Sequence, residues 1–213
     1  MEIPLRVVGV DPGLITTGYG VIEEERGLAR LIEAGTIEGG STERALEQRL
    51  LTLYQGMEQV LSEFRPEAAA MESIYSHYAH PATAILMGHA RGVLCLAAAQ
   101  LGIPVFSYSA TQIKDYLVGS GRAAKAQIQR MVQKQLGLEE IPNPHDVADA
   151  LAVALCHCRF AGSPLAGSGG QGSGFRVQGQ GSRVRGQGPG AKGWGSFSER
   201  EAPSPLPGGR GLG

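Results

Sequence analysis

Cysteine is scarce: three in 213 residues, Cys95, Cys156 and Cys158, each inside an otherwise apolar stretch. An odd number without framework spacing excludes a disulfide scaffold and fits a reducing compartment, so a cytoplasmic location is expected. The run Cys156-His157-Cys158 is not expected to bind zinc, because adjacent helical residues point apart and no second ligand pair exists. Aromatic residues make up 6% and tryptophan occurs once, while the hydrophobic share is 42%, which suits an ordinary aliphatic core in a soluble protein. The N-terminal apolar run is short and is broken by Asp11-Pro12-Gly13, so neither a signal peptide nor a membrane span is expected. Net charge is almost absent too, at −1.

Glycine, by contrast, is abundant and unevenly placed, with 17 of 32 glycines in residues 162–213. Residues 161–213 show no apolar periodicity, and such a segment buries too little surface to offset its ordering entropy, so a disordered Gly/Ser/Pro-rich tail is expected after a domain of residues 1–160. The tail holds six basic residues against two acidic ones, a net +4, which leaves the domain at −5. A weakly cationic tether on an acidic domain suits loose contact with a polyanion, or serves only to solubilise.

Within the domain, residues 5–10 form a continuous Val-rich run of the kind buried on both faces of a sheet. Residues 16–24 and 28–38 follow at hairpin spacing, punctuated by Gly13, Gly27 and Gly39-Gly40. A helix over 42–64 carries Leu46, Leu50, Leu53, Met57, Val60 and Leu61 as its apolar stripe, and Arg65-Pro66 stops it. "EAAAME" is a short strand ending at Glu72; residues 82–101 form a small-residue-rich helix; "IPVFSYS" is a fifth strand. Ser109 is the expected N-cap of a helix to Leu117, residues 123–136 form another, and residues 146–159 a last, buried one. The order implies an α/β fold: a mixed five-stranded sheet with helices on both faces.

Four acids stand where a core pattern would not place them: Asp11 and Glu72 at strand ends, and Asp146 with Asp149 on one face of the last helix. Singly, each has an ordinary role: Asp11 in a Pro-Gly turn, Glu72 as a strand terminator, Asp146 at a positive helix terminus. The same helix terminus accounts for Asp149 only in part, because a charge inside "VADALAVAL" points into an apolar face and is costly unless it is paired or holds a cation. Strand ends of an open sheet face a common crevice, and four carboxylates converging there repel one another unless hard divalent cations neutralise them. Oxygen ligation selects Mg²⁺ or Mn²⁺, and two such ions about 3.5–4 Å apart serve in-line phosphoryl displacement. The Gly13–Gly20 hairpin is expected to keep bulk away from this mouth.

The segments "GVDPGLITTGYGVIE", "AAAMESIY", "MGHARGVL", "VGSGRAAKAQIQRMV" and "NPHDVADALAVALCH" occur in an order that resembles bacterial RuvC-type Holliday junction resolvases along residues 5–160. The resemblance implies a ribonuclease-H-like fold. It also implies a Mg²⁺-dependent homodimer that nicks two strands of four-way junction DNA symmetrically, in recombination and repair, beside a RuvA–RuvB branch-migration complex. Asp11, Glu72, Asp146 and Asp149 match the metal-binding, catalytic acids. The third family position is Asp or His, so His145, next to Asp146, is a rival ligand. Lys114 and Lys125 match basic residues near the scissile phosphate. Tyr75 takes the place of an aromatic, commonly Phe, that stacks on an unpaired base, and the loop with His77, Tyr78 and His80 is slightly longer than usual. Arg91 resembles a dimer-helix position, and Gly88, Ala90 and Gly92 beside it permit close helix packing.

Residues 111–135 hold Lys114, Arg122, Lys125, Arg130 and Lys134 against Asp115 alone, a patch suited to phosphates. Arg122 and Lys125 flank a Gly-rich turn and can meet the DNA backbone at a helix N-terminus. Arg130 and Lys134 fit a solvated helix face equally well. An actin-type ATPase also begins with a strand ending in Asp-x-Gly, but it needs a second copy of the motif in a second domain. A junction-binding scaffold without chemistry gains nothing from acids beside phosphates. A nuclease acting on RNA–DNA hybrids would use the same metals and differ in substrate.

Overall fold

The Val-rich opening run forms β1 (Leu5–Asp11), and its side chains alternate between two separate cores. In this computed structural model, which describes residues 4–74 and 81–161, Val7 packs into one core and Val8 and Val10 into the other, all fully buried. Each buried valine is worth about 1.5–3 kcal/mol. β2 (Thr16–Glu25) and β3 (Leu28–Glu38) add antiparallel to β1, whereas β4 (Ala68–Glu72) and β5 (Val105–Tyr108) add parallel on its other side. The sheet order is β3-β2-β1-β4-β5, the mixed five-stranded arrangement read from the sequence.

One core lies under α1 (Leu46–Phe64) and α2 (Pro81–Gln100), where Leu53, Met57 and Leu61 meet Ala90, Leu94, Ala97 and Ala98. The other lies under α3 (Ala110–Val118), α4 (Lys125–Leu136) and α5 (His145–Ala161). α5 is buried from Val147 to Cys158 except at Asp149, which is half-buried; its apolar composition follows from packing on the sheet and on α3 and α4 at once.

Helix starts differ from expectation where a turn takes the first residues. α1 begins at Leu46 rather than Thr42, because Ser41–Arg44 closes a turn through Arg44 N–H donating to Ser41 O (3.2 Å). α4 begins at Lys125 rather than Ala123, after a turn in which Ala123 N–H donates to Ser120 O (3.1 Å). Ser109 caps α3 as expected, with its hydroxyl accepting from Gln112 N–H while the Gln112 side chain accepts from Ser109 N–H. Within α2, Ala82–Gln100 is long and apolar enough to cross a membrane by length and composition alone, although no span is expected from the N-terminal run. Among the described residues one face of it packs inside the chain, and Ile85 (61% exposed) and Leu96 (52%) lie on the other.

Candidate active site

The parallel β1–β4 ladder ends at the pair Val10 and Met71, so Asp11 and Glu72 follow one residue later at the same end of neighbouring strands. Strands in register are about 4.8 Å apart, which brings the two acids to one edge without any further device. Asp11 enters a corner that Thr17 pins: its buried hydroxyl donates to Gly13 O (2.7 Å) and accepts from Gly13 N–H (3.2 Å).

Glycine decides where α5 lies. A Cβ on Gly9 would stand 2.0 Å from Ala150 O, and one on Gly18 would stand 2.1 Å from Asp146 O. The helix backbone therefore rests directly on the backbone of β1 and β2. Gly18 is the register partner of Asp11, so Asp146 is seated over the residue beside Asp11, and Asp149 follows one turn on. Gly20 meets the Leu151 side chain in the same way. The glycines of this hairpin thus admit α5, a more specific role than keeping the mouth open.

Electrostatics reflect the convergence. Burial, then Asp149, Glu72 and Asp146, push the Asp11 carboxyl up to about 7, with Lys125 pulling the other way. Glu72 is also raised, first by burial and then by Asp149, against Lys114 and Lys125. Lys125, the first residue of α4, reaches Asp149 at 3.4 Å but is 73% exposed, and so exposed a pair contributes at most about 1 kcal/mol. Arg122 is exposed in the turn just before α4, and Arg130 and Lys134 are exposed along that helix. His145 turns to α4 instead, its Nδ1 lying 2.6 Å from Gln129 Nε2, while its neighbour Asp146 acts on Asp11.

Among the described residues no three His, Cys, Asp or Glu side chains are grouped tightly enough to hold one ion as they stand. The donor set nevertheless fits a hard divalent cation. All four groups are carboxylates on backbones already juxtaposed, and one is half-buried against the charge of the other three. Cys156 and Cys158 offer nothing comparable, since burial pushes both thiols to about 12, and His157 Nδ1 lies 2.7 Å from the Tyr108 hydroxyl in the α5 core.

This fold and carboxylate placement coincide with a match of residues 7–157 to the family model "Crossover junction endodeoxyribonuclease RuvC". The chain belongs to the RuvC family. A RuvC from Rhodopirellula baltica is 46% identical over 159 residues, covering 75% of this chain and 89% of that protein. One from Caldanaerobacter subterraneus is 44% identical over 156 residues, 72% of this chain and 92% of the relative. The structure of T. thermophilus RuvC in complex with Holliday junction substrate superposes with a TM-score of 0.70 at 37% identity, covering 74% of this chain and 94% of that one.

Two residues assigned from the RuvC resemblance stand apart from the four acids. Tyr75, with His77, Tyr78 and His80, lies outside the described residues. Arg91, assigned to a dimer helix, directs its guanidinium inward: Nε donates to Glu72 O (3.3 Å) and Nη2 to Ser107 Oγ (2.6 Å). Cβ atoms on Gly88 and Gly92 would meet nothing within 4 Å, whereas Ala90 is fully buried, so the small-residue stripe is divided between an open face and the core. Thr17 and the inward contacts of Arg91 are additions of the structure. The alternating glycines of "TGYG" signalled the close approach of α5, but nothing local to Arg91 points to a carbonyl 19 residues away.

Proposed function

We propose that the protein nicks four-way junction DNA as a homodimer, with one Asp11–Glu72–Asp146–Asp149 site per subunit and each site hydrolysing one strand to leave 5′-phosphate and 3′-hydroxyl ends. Membership of the RuvC family makes the chain a crossover junction endodeoxyribonuclease that depends on Mg²⁺. The observation that carries the finer reading is the convergence of four carboxylates on one sheet end, three of them raising the pKa of the half-buried fourth.

The four acids would hold two Mg²⁺ ions, with Mn²⁺ as a substitute. When bound, the metal supplies Lewis acidity for in-line phosphoryl displacement. Asp11 and Glu72 offer carboxylates on rigid strand ends, and Asp146 and Asp149 offer theirs from the helix seated on Gly9 and Gly18. Lys114 and Lys125 stand close enough to bias Glu72, which supports a role for both in orienting the scissile phosphate. Arg122 and the start of α4 extend that grip along the DNA backbone. Tyr75 is assigned the stacking role at the junction centre.

The open face of α2, with Ile85, Gly88, Gly92 and Leu96, suits a second copy of the chain, because an apolar face with small residues lets two helices approach closely. A RuvA–RuvB branch-migration complex is the partner that family membership favours. The deciding experiment is strand cleavage of a synthetic four-way junction in Mg²⁺, Mn²⁺ and EDTA, with linear duplex and RNA–DNA hybrid as controls. Paired symmetric nicks confined to the junction are expected. Binding without nicks in either metal would overturn the reading in favour of a non-catalytic scaffold.

A further inference from the structure

We infer that Arg91 is a positioning residue that ties α2 to the catalytic strand end and sets the geometry of Glu72. This inference rests on the assignment of Glu72 as a metal ligand. Glu72 lies one residue past the end of the β1–β4 ladder, so its peptide lacks a ladder partner on β1. Arg91 supplies a clamp there. Nε donates to the carbonyl of Glu72 itself, and Nη2 donates to Ser107 Oγ on β5, whose strand is paired in register with Met71 and Glu72.

A planar guanidinium can hold two acceptors on different strands at a fixed spacing, which a single ammonium cannot do. Rotation of the peptide after Glu72 would swing the Cα–Cβ bond that carries the carboxylate. A donor on that carbonyl therefore restrains where the carboxylate starts, without touching it. Arg91 is half-buried at the margin of α2, between the buried Ala90 and Leu94 and the open Gly88 and Gly92. The helix that presents the open face thus also holds the strand end that bears Glu72.

The test compares Arg91→Gln, Arg91→Lys and Ser107→Ala with the parent in the full chain. Two readouts address Glu72: the Mg²⁺ concentration giving half-maximal single-turnover cleavage, and, without DNA, the Mg²⁺ concentration giving half of the metal-induced rise in Tm. Two others report on surfaces: junction affinity in Ca²⁺ and the self-association state by sedimentation. For Arg91→Gln both metal midpoints are expected to rise at least fivefold and cleavage to fall at least tenfold, with junction affinity and assembly within twofold of the parent. Arg91→Lys should recover part of the loss. Ser107→Ala, which removes only a hydroxyl, should shift the midpoints in the same direction, so the inference remains testable if Arg91→Gln folds poorly. Metal midpoints within twofold of the parent in both variants would overturn it. So would weakened assembly or junction binding at unchanged metal midpoints, which would make Arg91 an interface residue. Were the parent to show the metal-induced melting shift yet cut no junction, the nuclease reading would fail while the melting midpoints still decided the role of Arg91.

Discussion

Asp11 bears the largest electrostatic burden of any residue in the site. Its pKa of about 7 lies above the ordinary 3.8, so the folded chain holds this proton more tightly than the unfolded chain does. That contribution to stability is fully present below pH 3.8 and is lost as pH rises through 7. Asp11→Asn should therefore raise Tm in EDTA at pH 8, by a few degrees for a relief of about 1 kcal/mol, and should narrow the gain in Tm that Mg²⁺ gives the parent. The same variant should bind junction DNA with parental affinity while cleavage falls by a factor of about 10³ or more. A lower Tm in EDTA, measured by calorimetry, would contradict the repulsion on which this rests. Lys125 is the converse case, an exposed cation whose pairing with Asp149 contributes little to folding. Lys125→Ala should leave Tm nearly unchanged and reduce the slope of log affinity against log salt by about one, read from titrations at several salt concentrations.

The placement of whole elements turns on which glycines face a neighbour. Gly18 supports the Asp146 turn of α5, and an added methyl has no space there. Gly18→Ala should cost on the order of 1–3 kcal/mol by displacing the helix, and it should depress cleavage more than junction binding because two of the four acids ride on α5. Gly88 is helical and open, so Gly88→Ala should keep or raise the thermal stability of the subunit through better helix propensity. Its effect should appear only in self-association, measured by sedimentation; unchanged association would move the proposed dimer surface away from this face. Both residues are glycines near apolar neighbours in the sequence. Only the packing distinguishes them, because a strand glycine and a helix glycine become contacts according to what lies across from them.

On the scale of the molecule, two cores flank one sheet, and the α5 core contains a proton-sensitive member. Burial lowers the pKa of His157 to about 4 from 6.5; its Nδ1 meets the Tyr108 hydroxyl, and its ring lies 4.5 Å from Phe106. The unfolded chain takes up this proton first, so the contribution of neutral His157 is complete above pH 6.5 and is lost as pH falls towards 4. Asp11 titrates with the opposite sign over part of that window, so the parent must be compared with His157→Gln at each pH. The difference in their Tm is expected to shrink from pH 6.5 to 4, and a constant difference would contradict the assignment. The last described helix ends at Ala161 and the RuvC match ends at residue 157, so a chain of residues 1–161 should keep parental Tm and junction cleavage. Loss of the tail's net +4 should weaken the salt-dependent part of DNA affinity alone.

Element order, the two-sided burial of the first strand and the four acids were set by the sequence, because periodicity, turn chemistry and an acid in an apolar run are local properties of a chain. So was the Ser109 cap, whose partners lie within three residues. The tertiary structure decided the rest: that α5 sits on Gly9 and Gly18, that Lys125 and Asp149 meet across 24 residues, and that Arg91 turns inward to Glu72 and Ser107. Each of these depends on which distant backbone passes close enough to accept a helix, a cation or a hydrogen bond. That proximity arises only when both cores have closed on the sheet.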